Sequence, residues 1–191
     1  MELRDVRTAP PEFRRAATRI SLLLTAEALR SVHTVVTTVT TPLGPANGRV
    51  VRSDIVVVPV LRAGLSMVDA VLQLVPSARV GHIGLQRDET TAVASRYYSK
   101  LPPDIGDSYV LMVDPMLATG GSSAAAIDLV KAAGARSIAL VCVISAPEGV
   151  AFLQRTHPDV DIYTPVVDRE LNAHKFIVPG LGDFGDRLYG T

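Results

Sequence analysis

The chain of 191 residues holds one cysteine and no tryptophan, and aromatic residues make up only 5% of it. A lone thiol excludes a disulfide framework within the chain and leaves no CxxC pair for zinc or redox chemistry. Cys142 sits in the apolar stretch 139–144 and reads as a small buried hydrophobe rather than a nucleophile. An excess of one charge is also lacking, since 19 Lys+Arg balance 19 Asp+Glu. No global field therefore draws the chain to nucleic acid or anionic lipid, and any anion site has to be local. No apolar run approaches the roughly 20 residues of a membrane helix; the run 55–61 stops at Arg62, and no charged-then-apolar signal pattern opens the chain. The expectation is a cytoplasmic protein. Internal repeats, low-complexity tracts and Pro/Gly/Ser-rich linkers are absent, which suggests one domain over residues 1–191. The histidines at 33, 82, 157 and 174 show no metal spacing, and neither a GxSxG elbow nor a GxxxxGK[ST] loop occurs.

What is present is a large apolar fraction, 48% of residues, arranged in two periods. Phe13, Ala16, Ala17, Ile20, Leu23, Leu24 and Ala28 recur at helical spacing behind Pro10 and Pro11, so an amphipathic helix opens the chain. Residues 32–41 are β-branched and suit a strand, with turn chemistry over 42–48. Beyond that point, strands are expected at 54–60, 79–85, 109–113, 138–144 and 160–163, and helices at 65–74, 122–133 and 147–156. Strands without polar alternation, separated by helices, indicate an α/β fold with a mainly parallel sheet covered on both faces. Residues 87–105 form a polar insertion and residues 171–191 a Gly-rich tail without clear period, both suited to surround a site.

The sharpest local feature is the run from Val110 through Asp114, Pro115, Met116, Leu117, Ala118, Thr119, Gly120, Gly121 and Ser122 into a helix. A buried strand delivers an acid at its C-terminal end, and a Thr-Gly-Gly-Ser turn then exposes amides and hydroxyls at a helix N-terminus. Such a turn suits phosphate, because glycine lets the backbone approach the anion and the helix dipole favours negative charge. Asp114 suits sugar hydroxyls, for which a carboxylate is an acceptor. The competing reading is a plain helix cap with Ser122 as the capping residue.

The sequence DPMLATGGS resembles the phosphoribosyl pyrophosphate motif of the type I phosphoribosyltransferases, in the form found in the uracil phosphoribosyltransferase family. The segments 58–69, 78–84, Arg87 with Asp88, 97–102, 146–149, 157–159, 177–183 and 185–187 are similar to that family's segments in the same order, over about residues 3–191. The resemblance implies a type I phosphoribosyltransferase fold with a central mainly parallel sheet flanked by helices, a β-arm at about 87–105 and a C-terminal hood at about 171–191. It implies transfer of 5-phosphoribosyl from phosphoribosyl pyrophosphate to uracil, giving UMP and pyrophosphate, in pyrimidine salvage. It places the 5′-phosphate on residues 118–122, the ribose hydroxyls near Asp114, and the pyrophosphate at Arg62 and Arg87, with Asp183 as protein contributor to Mg²⁺. Ile177, Gly182, Asp183 and Phe184 would read the uracil edge. A homodimer or larger homo-oligomer, without nucleic-acid or membrane partners, is implied as well. The run Gly180-Leu-Gly182-Asp-Phe-Gly185 satisfies GxGxxG, but too few residues follow it for a dinucleotide fold. Phe184 stands where the family has alanine and Phe176 where it has tyrosine, so two alternatives accompany the main reading. One is a paralogue with another base-like acceptor, and the other is a silent regulator that binds phosphoribosyl pyrophosphate.

Overall fold

Helix α1 (Pro10–Ala28) starts on a proline, whose fixed φ suits the first turn and whose missing N–H would find no intrahelical acceptor there. One stripe of it, including Phe13, Ala17, Leu24 and Ala28, is buried. The computed structural model describes residues 1–87 and 94–191.

Strands β1 (Thr34–Thr41) and β2 (Gly44–Val51) form an antiparallel ribbon outside the main sheet. The turn expected over 42–48 is therefore shorter. Thr41 already pairs with Gly44 and Thr37 with Gly48, because the β-branched β1 offers a full ladder to the residues opposite. Pro45 is tolerated there because the ribbon pairs on one side only.

The main sheet is built from β3 (Ile55–Leu61), β4 (Arg79–Val80), β5 (His82–Arg87), β6 (Ala94–Lys100), β7 (Tyr109–Val113), β9 (Ser137–Val141) and β11 (Asp161–Tyr163). Among the described residues the order across it is β11-β9-β7-β3-β5-β6, with β4 also on β3; all pairs are parallel except β5 with β6. Short β8 (Met116–Leu117) and β10 (Ile144–Ser145) pair with each other, as do β12 (Glu170–Leu171) and β13 (Ile177–Val178). Helices α2 (Leu65–Leu74), α3 (Gly121–Ala132), α4 (Pro147–Thr156) and α5 (Phe184–Tyr189) complete the chain.

The period-2 alternation of the central strands divides the interior into two layers. Ile55, Val57, Leu111, Val113, Ala139 and Val141 face α1, α2 and α5, whereas Val56, Val58, Val110, Met112, Ile138 and Leu140 face α3 and α4. Cys142 is fully buried in the second layer, and burial pushes its thiol well up, with the nearby Asp114 acting in the same direction. Two of the expected strands divide in two. Gly81 separates β4 from β5, and after Val141 the chain leaves the sheet so that the Val143 and Ile144 amides donate to the Pro115 carbonyl at 3.0 and 3.1 Å. The tail, without visible period in the sequence, contains α5, whose Phe184 packs edge-on against Phe13 at 5.0 Å between centroids. No described helix is long and apolar enough to cross a membrane.

Phe13 and Phe184 are both essentially inaccessible to water and join the first and last helices. Truncating either to alanine is expected to lower unfolding free energy by roughly 3–5 kcal/mol, measured by urea denaturation. A loss below 1 kcal/mol would show that the tail is not anchored through this pair.

Candidate functional site

Strands β3 and β7 lie side by side and parallel, and their successors go to opposite faces of the sheet. Such a switch point opens a crevice at the C-terminal strand ends. Asp114 stands there, directly after β7; its N–H donates to the Val141 carbonyl at 3.1 Å and its Oδ1 accepts from the Met116 N–H at 3.3 Å. Burial pushes the Asp114 carboxyl up to about 7, against the smaller opposite effect of the Met116 N–H.

Residues 115–120 carry the chain from Asp114 to α3. Gly120, at φ 83°, is the residue that caps this helix, and it has no side chain to accept from the first-turn amides. The reading with Ser122 as N-cap is thereby overturned. The Gly121 N–H makes only a long 3.4 Å contact with the Thr119 hydroxyl. A row of main-chain donors at the positive end of a helix dipole is thus left for an anion. Gly120 fits no other residue type well, since a Cβ would lie 2.9 Å from Phe152 and 3.1 Å from the Gly149 carbonyl in a backbone conformation that side chains disfavour. A Cβ on Gly149 would in turn collide with the Ala118 carbonyl. The first turn of α4 is therefore pressed against the loop and fixes its shape.

The loop after β3 lies over the end of β7, because a Cβ on Gly64 would meet the Val113 carbonyl oxygen. Its Leu61–Arg62 peptide is cis. Arg62 is exposed and has no carboxylate partner among the described residues. Arg87 ends β5, but its expected role belongs to a side chain outside the described residues, as do residues 88–93 of the expected arm. The described remainder of that insertion includes β6, an edge strand of the main sheet.

A cavity of about 240 Å³ joins these loops to the tail, lined among others by Ala63, Asp114, Met116, Ala118, Ile177, Gly182 and Asp183. Of the residues expected at the site, Asp114, Met116, Ala118, Ile177, Gly182, Asp183 and Phe184 line this space, whereas Arg62 and residues 119–122 lie outside its lining. Asp183 caps α5, accepting from the Asp186 N–H at 2.9 Å through Oδ1. The Phe184 ring is turned into the core against Phe13 and does not fill the space.

What holds the tail over the crevice has no trace in the sequence reading. Arg4 forks onto Asp168 at 2.6 and 2.8 Å and also donates to the Gly180 carbonyl at 2.9 Å, while the Gly180 N–H donates to Asp168 at 2.8 Å. Arg187 reaches back to the carbonyls of Leu3, Leu181 and Asp5 and lies 4.5 Å over the Phe13 ring. Planar guanidinium groups suit such forked and stacked contacts. The Arg4 bond holds the Asp168 carboxyl below its ordinary value, aided by the Gly180 N–H and opposed by burial.

The fold is that of the type I phosphoribosyltransferases; a solved hypoxanthine-guanine phosphoribosyltransferase from Bacillus anthracis superposes with a TM-score of 0.56 at 13% identity, covering 83% of this chain and 80% of that one. The family model described as uracil phosphoribosyltransferase matches residues 1–191, and the chain belongs to that family. A uracil phosphoribosyltransferase of Dictyoglomus thermophilum is 54% identical over 100% of this chain and 92% of its own. Another, from Clostridium perfringens, is 50% identical over 99% and 91%. A solved Aquifex aeolicus protein is 37% identical with a TM-score of 0.91, covering 99% of this chain and 91% of its own.

Because the depressed Asp168 carboxyl is ionised at neutral pH, its contribution to stability is complete above the ordinary carboxylate range and is lost as pH falls through and below it. Arg4→Met should therefore lower stability at pH 7 by roughly 1–3 kcal/mol, and the difference from the parent should shrink below about pH 4. Thermal unfolding across pH 3–8 measures this; a difference that stays constant with pH would contradict the role given to the pair.

Proposed function

We propose that the chain transfers the 5-phosphoribosyl group of phosphoribosyl pyrophosphate to N1 of uracil. The C1′–O bond to pyrophosphate breaks as the C1′–N1 bond forms, and N1 gives up its proton, leaving UMP and pyrophosphate. The observation that carries this reading is the α3 N-terminus without a side-chain cap, one short loop from Asp114, with Asp114 and Ala118 of that loop lining a cavity. Membership of the uracil phosphoribosyltransferase family supports the choice of base.

In this reading the 5′-phosphate is held by the main chain of residues 118–122 with the Thr119 and Ser122 hydroxyls, and Pro115, Met116 and Leu117 set the approach. Asp114 accepts from the ribose hydroxyls and fixes the sugar relative to the base. Arg62, joined by Arg87 from the end of β5, stabilises the negative charge that grows on pyrophosphate, where electrostatic help is worth most. Uracil lies under the hood, read by backbone groups of Ile177 and Gly182 beside Asp183 and Phe184. A base with the wrong donor pattern leaves those groups unpaired. A different acceptor loses its main support, because the Phe184 ring is occupied with Phe13. Residues 1–191 act as one catalytic domain, with 87–105 as arm and 171–191 as hood.

Among the described residues no group of three His, Cys, Asp or Glu side chains is arranged to hold a metal ion. In this reading Mg²⁺ would be carried mainly by substrate oxygens and water, with Asp183 offering Oδ2 beside the cap it makes through Oδ1. When bound, Mg²⁺ supplies neutralisation of the pyrophosphate charge.

Turnover with uracil, phosphoribosyl pyrophosphate and Mg²⁺ should yield equimolar UMP and pyrophosphate; a folded protein that yields neither would overturn the reading. Arg62→Ala should lower kcat far more than it raises KM for uracil. With its carboxyl displaced to about 7, Asp114 should make kcat/KM for phosphoribosyl pyrophosphate rise with pH through that region. Asp114→Asn should lower this parameter roughly tenfold to a hundredfold. Folding raises the Asp114 carboxyl, so ionisation costs stability as pH rises through about 7, and the Asn variant should be at least as stable as the parent at pH 8. A flat pH profile between 5.5 and 8.5 would reject the role.

A further inference from the structure

Lys175 is the one non-glycine residue with positive φ, 64°, among the described residues. It sits at the tip of the β12–β13 hairpin, where its N–H donates to the Asn172 carbonyl at 2.9 Å and the Asn172 side chain accepts from the His174 and Phe176 amides at 3.0 Å. This conformation is disfavoured for a long side chain, and asparagine or glycine would adopt it more readily. Such outliers concentrate where a side chain has a task.

Two further observations say what that task is. Lys175 lines the 240 Å³ cavity, and among the described lining residues it alone carries a positive charge, with Asp114 and Asp183 in the same lining. Second, the hairpin is tied to the α4 N-terminus, since the Leu171 N–H donates to Glu148 at 2.9 Å. Glu148 is held below its ordinary value chiefly by that bond and by its own amide, with a smaller attraction from Lys175. The neighbouring Gly149 presses against Ala118. Lys175 therefore shares a cavity wall with Ala118, at the start of the loop ahead of α3, and its charge acts on Glu148 of α4. Residues 118–122 contain no cationic side chain, so a phosphate dianion bound on them meets only amides and hydroxyls from below.

We propose that Lys175 is a substrate-binding residue that contacts, from the hood, the phosphate carried on C5′ of the sugar. This rests on the reading of the loop given above. The same contact would draw the hood onto the loaded loop, so that base recognition is completed once the phosphorylated sugar is in place.

The test compares the parent with Lys175→Asn, Lys175→Gly and Lys175→Arg. The first two remove the ammonium while fitting the backbone, so neither is expected to unfold the chain. Parent turnover with uracil comes first, and its absence would count against the reaction itself. With an active parent, the Asn and Gly variants should raise KM for phosphoribosyl pyrophosphate and Ki for UMP roughly fivefold to tenfold, the loss expected for one exposed charge-assisted bond. Inhibition by pyrophosphate, which lacks the C5′ phosphate, should stay within twofold, and Lys175→Arg should restore most of the affinity. A purely structural lysine would move the melting temperature and leave these constants alone. Unchanged Ki for UMP in the Asn and Gly variants, or a change confined to pyrophosphate, overturns the proposal.

Discussion

The arrangement depends on the contact between α4 and the bend ahead of α3. Gly120 and Gly149 bring two backbones within van der Waals contact, and Gly120 takes a left-handed conformation that sets the direction in which α3 leaves. No side chain of the cap residue satisfies the leading amides of that helix, which follows the strand end where β3 and β7 run side by side. The sheet matters to the site mainly as a rigid base that holds the two loops in register. Five consecutive paired positions between β3 and β7, from Ile55 with Tyr109 to Pro59 with Val113, leave little freedom between them.

The opposite wall is assembled differently. The C-terminal tail lies outside the main sheet and is fixed by contacts from the chain's start: Arg4 to Asp168 and Gly180, Arg187 to Leu3 and Asp5, and Phe13 to Phe184. Its charged anchor is largely buried and contains the titratable Asp168, which makes its stability pH-sensitive, whereas the aromatic contact is not. Asp114 shows the opposite relation between function and stability. The same burial that raises its carboxyl would, in the proposed reading, place an acceptor beside the sugar hydroxyls, and folding supplies the free energy that holds it there.

The parallel sheet was legible because its strands are uninterrupted apolar runs. The segments 65–74, 109–113 and 147–156 in the sequence coincide with α2, β7 and α4. The acid-loop-helix order of residues 114–122 was legible for the same reason, as local chemistry in consecutive residues. Contacts between the two ends of the chain were not, since Arg4 and Asp168 lie 164 positions apart and carry no periodic signal. β2 was hidden by its own composition: Gly44, Pro45, Asn47 and Gly48 read as a turn, yet the valine- and threonine-rich partner pairs with all of them. Lys175 gave no sign because a positive φ is not visible in a lysine. Phe184 was legible as an unusual residue in the tail, but the direction of its ring was set by Phe13, far away in the chain.

The account stands on main-chain donors at residues 118–122. Titrating ¹⁵N-labelled protein with phosphoribosyl pyrophosphate and following the amide resonances tests this most directly. The Gly120, Gly121 and Ser122 N–H signals should move downfield, as expected for hydrogen bonds to phosphate. Saturable binding that leaves those three amides unmoved while shifting others would contradict it.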